Sequence, residues 1–468
     1  MRRIVQAVII SAAVGGWFLW NAWRGLFVYF NTDDMMNLYR AWDFPLRHLI
    51  IANLTPFTKV YRPAGAAFYR TFYDVFGLHP LPFRIAIYCA LALNIALIYW
   101  LAKLLSESAE IGVLAALLGA YHNRLLDVYI FGGTVYDVLC FTFYVLAVCV
   151  YVRSRANGAA MSWRVFAAFI VLNVLALNSK EMAVTLPAVL IAYEWLYHAG
   201  PLAKARSQNI WKWAPAWLSL AMTVVVAKIR TGTATAFSGN PEYALHFSLH
   251  QYFLTSREFL DELFLREAGS ISTTKVVLIF AVVWVIAIAS RRRDLLLSAF
   301  FITVTPLPVN FIPSRGFFAM YLPLAGWAIY CAILIVVLRN WLLERVWHRP
   351  RIPNGWQPER VVLFVCVLWA LFDIHARDQG RTFRDADNLT EPLRTLAGSL
   401  ARIPVSIPKG GGVLFLNDAI EDRWSPVFIV RLFYRDATIR VDRDWQDPKA
   451  ERYDLTLVLC DRGYCEVK

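Results

Sequence analysis

The segment 317–338, FFAMYLPLAGWAIYCAILIVVL, decides the class of this protein. It contains no charged side chain, and about 20 apolar residues are enough for a helix to cross a bilayer. Of all 468 residues, 58% are hydrophobic and 17% are charged, with a mean hydropathy of +0.47. A soluble domain has roughly 45–50% apolar and 25% charged residues. The composition therefore excludes an ordinary cytosolic protein and predicts an α-helical polytopic membrane protein.

The same criterion predicts about eleven transmembrane helices between residues 1 and 375. Trp17, Trp20 and Trp23 occupy the place where a signal peptide would need small residues for cleavage, so we interpret the first segment as a retained helix. The predicted spans are 4–23, 84–104, 109–122, 134–152, 164–178, 182–198, 213–229, 275–290, 295–312, 317–338 and 360–375.

The positive charge indicates how these helices are oriented. If the eleven spans alternate, Lys and Arg clusters in five connections fall on one side, which predicts a cytoplasmic N-terminus. The loop 24–84 holds seven Lys and Arg residues on the other side, but a loop of that length carries little weight in the rule. The net charge of +13 thus indicates membrane topology and lipid headgroups rather than nucleic acid. The basic clusters lie at 2–3, 153–164, 204–212, 291–293 and 339–360.

Residues 376–468 differ in composition and predict a small extracytoplasmic α/β domain. This segment contains 15 basic and 15 acidic residues. Apolar runs at 413–416, 427–433 and 455–459 predict strands, and 422–426 predicts a turn or cap. Cys460 and Cys465 are either disulfide-bonded across a tight turn or two free thiols.

Charged residues near bilayer depth are costly and are therefore candidates for function. On the predicted topology nearly all of them lie at the outer ends of helices or in outer loops; Glu194, near an inner end, is the exception. Carboxylates beside Lys and Arg suit a reaction in which a hydroxyl loses a proton and a phosphate leaves. The other residues of this group are Asp33, Asp34, Tyr61, Arg62, His122, Asn123, Arg124, Asp127, Asp137, Lys180, Glu181, Lys228, Arg230 and Arg315.

Three places in the sequence are the main candidates for such chemistry. Asp33-Asp34 could supply a general base, or could simply cap the helix that follows. Lys180-Glu181 could bind a lipid phosphate, or could form a local ion pair. Arg315 brings a further cation to the same predicted face.

His246 and His250 have the spacing of a two-histidine metal site, but no third ligand stands at a defined spacing. We interpret 243–265 as an amphipathic segment at the membrane interface. The sequence also lacks a glycine-rich phosphate loop and a Cys/His zinc pattern, which leaves a cytoplasmic nucleotide site unsupported.

Taken together, the acidic pair after the first helix, Tyr61-Arg62-Pro63, and Ser179-Lys180-Glu181 resemble GT-C membrane glycosyltransferases, in particular their protein O-mannosyltransferase-like branch. The resemblance covers residues 1–375 and is most specific at Ser179-Lys180-Glu181. It implies a polyprenyl-phosphate-linked sugar as donor, and inverting transfer to an acceptor on the extracytoplasmic face.

The resemblance also implies residue roles. Asp33 or Asp34 takes the place of the catalytic acid of the family, with a slight preference for Asp33. Lys180, Arg315 and Arg62 are predicted to bind the donor phosphate, and Glu181, with Tyr61 and His122, to orient groups or bind sugar. No residue is assigned to a metal; no cofactor is certain, and a divalent metal stays possible, although an acidic pair alone does not form an oxygen cage.

Two other classes of function compete with this hypothesis. A transporter or flippase of lipid-linked sugars would place its binding residues near the midplane between repeated halves, and we find no second copy of either motif. A structural protein displaying the C-terminal domain would leave the acidic pair and Lys180-Glu181 unexplained. We therefore predict a multi-pass enzyme of a bacterial inner membrane that acts on a protein, glycolipid or glycan acceptor.

Overall fold

The computed structural model describes residues 2–55, 58, 60–203, 210–233, 244–313, 315–346, 358–378, 381–446, 452–461 and 463–467. Helices dominate, and each predicted span coincides with helical structure. The helices of residues 1–377 are α1 (Arg2–Ala22), α2 (Thr32–Trp42), α3 (Leu46–Asn53), α4 (Pro63–Phe76), α5 (Pro80–Ser106), α6 (Ala109–Ala120), α7 (Leu126–Ile130), α8 (Val135–Arg155), α9 (Trp163–Ser179), α10 (Leu186–Glu194), α11 (Ala214–Thr233), α12 (Leu249–Leu263), α13 (Thr273–Ser290), α14 (Arg293–Val304), α15 (Leu307–Asn310), α16 (Tyr321–Arg345) and α17 (Pro358–Arg377).

Four helical stretches among the described residues are long and apolar enough to cross a membrane: Pro80–Ser106, Gly132–Arg155, Thr273–Ser290 and Phe317–Arg345. These stretches support a multi-pass membrane protein, while the number of eleven spans stays a prediction. The predicted span 295–312 is interrupted, because Pro306 separates α14 from α15.

The centre of the bundle is formed by α5, α6, α8 and α16. Small residues let α6 approach α5 closely, since a Cβ atom at Gly112 would lie 2.9 Å from the Tyr99 backbone. A buried polar network joins three of these helices: Asn94 accepts from Thr142 (2.7 Å) and donates to the Tyr321 hydroxyl (3.2 Å). Such bonds fix the relative positions of helices whose other contacts are apolar.

The predicted first loop, 24–84, contains α2, α3 and α4. Asn178, at the end of α9, donates from Nδ2 to the carbonyls of Ala52 (3.2 Å) and Thr55 (3.0 Å). This contact attaches the first loop directly beside Lys180.

The C-terminal region contains a four-stranded sheet and two more helices, α18 (Phe383–Arg402) and α19 (Ser425–Tyr434). The strands are β1 (Gly412–Leu416), β2 (Arg440–Arg443), β3 (Leu455–Cys460) and β4 (Gly463–Glu466), in the order β2-β1-β3-β4. β1 pairs in parallel with β2 and β3, and β4 is antiparallel to β3. Cys460 and Cys465 form a disulfide across this last hairpin.

One predicted strand in this region is wrong. Residues 427–433 lie within α19, which begins with Pro426 in its first turn. The Oδ2 atom of Asp422 accepts hydrogen bonds from the backbone N–H groups of Trp424 (3.0 Å) and Ser425 (2.6 Å). These two signals begin a helix despite the β-branched and aromatic residues that follow, because local capping outweighs a weak strand preference.

The two histidines of the suggested metal spacing do not share a helical face. His246 precedes α12, and its backbone N–H donates to the carbonyl of Phe311. His250 lies in the first turn of that helix.

Candidate active site

The two acidic residues after α1 occupy different environments. Asp34 is fully buried and forms a capping box with Asn31, whose side chain accepts from the Asp34 backbone N–H at 2.8 Å. Its Oδ2 atom accepts from Nη2 of Arg84 at 3.2 Å, and its Oδ1 atom accepts from the Tyr69 hydroxyl at 3.1 Å. The N-cap of α2 is therefore Asn31, and not Thr32 or Asp33 as the sequence predicts, while the Asp34 carboxylate is taken up by hydrogen bonds within the fold.

A glycine turn closes over Asp34. A Cβ atom at Gly132 would lie 2.7 Å from Asp34 Oδ1, so any larger residue would push against the carboxylate. The neighbouring Gly133 lies beside Asp33, where a Cβ atom would be 3.4 Å from that of Asp33. The turn before α8 and the start of α2 therefore fit together tightly.

Asp33 is the exposed member of the pair. Partial burial of its carboxyl raises its pKa, and the nearby charges of Asp34 and Asp422 raise it further. The Arg315 guanidinium opposes this and lowers the pKa. The charge of Arg315, predicted as a phosphate ligand, thus acts on Asp33, and the pKa of Asp33 still lies above its ordinary value.

Lys180 is buried and already paired. Its Nζ atom lies 2.5 Å from Oδ1 of Asp137, which is also buried, and 5.0 Å from the centre of the Phe318 ring. Asp137 stands in the first turn of α8, and it appeared in the sequence as an unexpected charge with no assigned role. Its partner could not be inferred from the sequence because Lys180 follows 43 residues later.

Arg62 and Glu181 form a second ion pair beside the first. The Nη2 atom of Arg62 lies 2.6 Å from Oε1 and 2.8 Å from Oε2 of Glu181, and Nε lies 3.2 Å from Oε2. The two side chains keep 18% and 41% of their exposure. Burial would raise the pKa of Glu181, but Arg62 and Lys180 outweigh it and lower the pKa to about 2. Glu181 thus orients Arg62 rather than Lys180, and it does so as an anion.

The backbone of Arg62 explains how its side chain reaches this position. Arg62 has a positive φ of 46° immediately before Pro63, which begins α4. Its guanidinium lies 4.7 Å from the ring centre of Tyr61, which is exposed, and 5.3 Å from that of Tyr136. A non-glycine residue in this conformation costs energy, which is typical of functional sites.

Tyr136 connects the two halves of the site. Its ring contacts the Arg62 guanidinium, and its hydroxyl donates to Oδ1 of Asn37 on α2 at 3.2 Å. Tyr136 therefore contacts both α2, which carries the acidic pair, and Arg62. We call the group Arg62, Asp137, Lys180 and Glu181 the four-charge cluster. The sequence analysis assigned no role to Tyr136 or Arg84, since neither stands in a recognisable motif.

His122 lies apart from the four-charge cluster. Its Nε2 atom is 3.1 Å from the carbonyl of Leu263, and its ring packs against those of Phe317 and His375. The His122 side chain is buried among these neighbours.

In the part of the chain that the structure describes, no three His, Cys, Asp or Glu residues come together in a way that could hold a metal ion.

Comparison with solved structures shows that the chain shares its fold with an archaeal oligosaccharyltransferase. One similar structure is that of the archaeal oligosaccharyltransferase AglB from Archaeoglobus fulgidus, in complex with an inhibitory peptide and a dolichol-phosphate, with a TM-score of 0.52 and 13% identity. The match covers 94% of this chain and 64% of AglB, so the chain spans less than two thirds of that protein. Because the identity is low, the likeness establishes the fold, and the O-mannosyltransferase-like branch stays a prediction.

Two further structures of the Archaeoglobus fulgidus oligosaccharyltransferase are similar. One is a complex with Zn and sulfate, with a TM-score of 0.49, 14% identity, and coverage of 94% of this chain and 62% of the other. The other is the apo form, with a TM-score of 0.47, 12% identity, and coverage of 94% of this chain and 64% of the other. No family model and no curated protein sequence matches the chain.

Proposed function

We propose that this protein is an inverting glycosyltransferase that moves a sugar from a polyprenyl-phosphate-linked donor to an acceptor on the extracytoplasmic face of a membrane. The observation that carries the proposal is the exposed Asp33 carboxylate on α2, the helix that Tyr136 connects to Arg62 of the four-charge cluster. The GT-C fold supports it, and AglB was solved with a dolichol-phosphate.

Asp33 rather than Asp34 acts as the general base in this proposal. Asp34 accepts hydrogen bonds from Arg84, Tyr69 and its own helix cap, and it is fully buried. Asp33 is exposed, and its raised pKa favours proton uptake. As Asp33 takes the proton of an acceptor hydroxyl, the oxygen bonds to the anomeric carbon, and the bond from that carbon to the phosphate oxygen breaks. Polyprenyl phosphate leaves with the electron pair.

The donor phosphate is assigned to Arg62, Lys180 and Arg315. Arg62 and Lys180 each face a carboxylate, so the phosphate must share or displace these partners. Glu181 is the more exposed of the two carboxylates, whereas Asp137 is buried with Lys180. The donor phosphate therefore first replaces Glu181 at Arg62, whose planar guanidinium can form two parallel hydrogen bonds to an oxyanion.

The experiment begins with a host strain that lacks the gene. Mass spectrometry of its lipid-linked sugars and glycans should show an accumulated polyprenyl-phosphate sugar and a missing glycan, and the wild-type gene should restore both. Asp33→Asn should leave the defect in place, because general base catalysis contributes roughly 10²–10⁴-fold in rate.

A second measurement separates transfer from transport. The accumulated lipid is extracted and offered, with an acceptor fraction from the same strain, to purified protein in detergent. An enzyme converts the lipid to polyprenyl phosphate, whereas a flippase leaves its chemical identity unchanged. Full conversion by Asp33→Asn protein would contradict the assignment of the base, and no conversion by wild-type protein would contradict the proposed function.

A further inference from the structure

Helix α3 of the first loop is attached to the end of a predicted membrane span. Asn178, the last residue but one of α9, donates from Nδ2 to the carbonyls of Ala52 (3.2 Å) and Thr55 (3.0 Å). The predicted span 164–178 ends at this same residue. On the predicted topology, these two bonds place the C-terminal end of α3 at the surface of the membrane.

One side of α3 is apolar and exposed. Ile50, Ile51 and Leu54 keep 51%, 53% and 78% of their exposure, whereas Leu49 and Ala52 are buried. Residues three and four apart share a face of a helix, so the three exposed side chains form one surface, which we call the apolar face of α3. A helix at a membrane surface buries such a face among the acyl chains of the lipids.

A cavity beside α3 adds two basic side chains to this arrangement. It has a volume of about 360 Å³, and its lining includes Arg47, His48 and Ile51 of the helix, with Thr55 and Thr58 beyond its end. No carboxylate is among the described residues that line it. Small-molecule sites have volumes of about 300–1,000 Å³. The cavity thus offers a guanidinium, an imidazole and two hydroxyl groups to an anion of that size.

The basic residues of the first loop divide into two groups. The loop 24–84 holds seven Lys and Arg residues on the side opposite to the other basic clusters of the predicted topology. Arg62, Arg70 and Arg84 are paired with carboxylates of the fold. Arg47 lines the cavity instead. Attraction to anionic head groups is a reason for basic residues at a membrane surface that does not depend on the orientation of the helices.

We propose that this cavity, the α3 cavity, binds the head-group phosphate of a negatively charged phospholipid whose acyl chains lie against the apolar face of α3. A ligand with an anionic head and an apolar tail matches both features, whereas a soluble anion would leave the apolar face in water. The occupant is a lipid of the bilayer and not the sugar donor, because the donor phosphate is assigned to Arg62, Lys180 and Arg315.

A phospholipid at this place would attach the first loop to the bilayer beside the candidate active site. Ala52 lines the α3 cavity and also accepts the hydrogen bond from Asn178, which precedes Lys180 by two residues. The lipid and α9 therefore hold the same short segment of the loop from two sides.

The test counts the lipids that full-length protein retains in native mass spectrometry. Protein in detergent is titrated with dioleoyl phosphatidylglycerol, which is anionic, or dioleoyl phosphatidylcholine, which is zwitterionic. Wild-type protein should bind phosphatidylglycerol at lower concentrations. Arg47→Gln should weaken this binding about fivefold, the effect of one basic residue near an anionic lipid surface. Arg47→Gln combined with His48→Gln should abolish the preference for phosphatidylglycerol.

Two variants serve as controls. Arg40→Gln removes the same charge from an exposed residue of the same loop that is not among the described residues lining the α3 cavity, and it should keep the preference. Leu54→Ser removes part of the apolar face and should weaken the binding of both lipids to the same extent, because their acyl chains are identical.

A photoreactive phosphatidylglycerol with a diazirine in its head group locates the site. Crosslinks should fall between residues 45 and 58. Crosslinks only elsewhere, or an unchanged lipid preference in the double variant, would overturn this inference. Displacement of the phosphatidylglycerol by an equal concentration of polyprenyl phosphate would assign the α3 cavity to the carrier lipid and would overturn it as well. Wild-type protein that binds phosphatidylglycerol here but converts no donor would contradict the proposed function alone.

Discussion

Two of the Arg–Glu pairs among the described residues have similar geometry, and they lie toward opposite ends of α10. Arg155 and Glu194 meet at 2.6 Å and 2.8 Å, and both side chains are completely buried. The Tyr151 hydroxyl adds a third hydrogen bond to Glu194 at 2.8 Å. Arg62 and Glu181 meet at the same shortest distance, yet 41% of the Glu181 side chain remains exposed.

The difference between the two pairs is one of access. We call the buried Arg155–Glu194 pair the closed pair and the Arg62–Glu181 pair the open pair. The two groups of the closed pair are out of reach of any ligand, so this pair can only hold α8 and α10 together. At the open pair, a ligand can approach both groups. We infer that a ligand can begin to bind only at an accessible ion pair of this bundle, and that ionic chemistry alone does not identify function.

The largest effect should come from breaking the closed pair. Glu194→Gln leaves the Arg155 charge buried without a counterion, which should cost about 3–5 kcal/mol of folding free energy. The matched change Glu181→Gln should cost about 1 kcal/mol or less, because solvent screens that pair. Chemical denaturation in mixed micelles measures both. Equal losses would contradict the distinction between closed and open pairs.

A third ion pair tests whether burial or nearness to the candidate site determines how much folding free energy is lost. Asp34 and Arg84 are closed like the Arg155–Glu194 pair but lie at the candidate site. Asp34→Asn should therefore lower stability by about 3 kcal/mol, whereas Asp33→Asn should leave stability within about 0.5 kcal/mol of the wild type. The reverse order in denaturation experiments would mean that Asp33 is the structural member.

A smaller effect, on the rate of transfer, is expected when the cation of the open pair is kept but its planar guanidinium is replaced. Arg62→Lys retains a cation and replaces the planar guanidinium by an ammonium group. We expect transfer to fall about ten- to a hundredfold, since hydrogen bonds to charged groups contribute roughly 1.5–3 kcal/mol. The measurement is the turnover of the extracted lipid donor. Arg155→Lys, in contrast, should lower the yield of folded protein and leave the turnover of the folded fraction unchanged.

The smallest expected effect is a shift in pH dependence. Arg315 lowers the pKa of Asp33, so Arg315→Gln should raise that pKa. A base must be deprotonated to act, so the acidic limb of the transfer rate should move to higher pH. Infrared titration of the Asp33 carboxyl band, identified by its loss in Asp33→Asn protein, provides an independent check. A shift to lower pH would show that Arg315 does not act on Asp33.

The sequence predicted the fold better than the site. Apolar segments announce membrane helices because the bilayer requires about 20 apolar residues wherever a helix crosses. Residues 427–433 have the composition of a strand, and the predicted turn or cap at 422–426 is a turn in which Asp422 accepts the N–H groups of Trp424 and Ser425 just before α19. Charges are rare in apolar chains, and this rarity identified the acidic pair, Arg62, Lys180, Glu181 and Arg315 as candidates.

Their pairing could not be predicted from one sequence. Arg62 and Glu181 are 119 residues apart, and Arg84 and Asp34 are 50 apart. The contact of Tyr39 with Arg431 spans 392 residues. Such contacts depend on how the helices pack, and a tyrosine on an amphipathic helix carries no signal that another domain will cover it.

The hairpin closed by Cys460 and Cys465 has a practical consequence for cell biology. Thiols stay reduced in the cytoplasm, whereas oxidising compartments allow disulfides to persist. Acid trapping of cells, followed by alkylation and mass spectrometry, would therefore report the side of the membrane on which the C-terminal domain folds. Cys89, Cys140, Cys149, Cys331 and Cys366, all free in the structure, supply internal references. The untagged native chain thus contains its own topology marker.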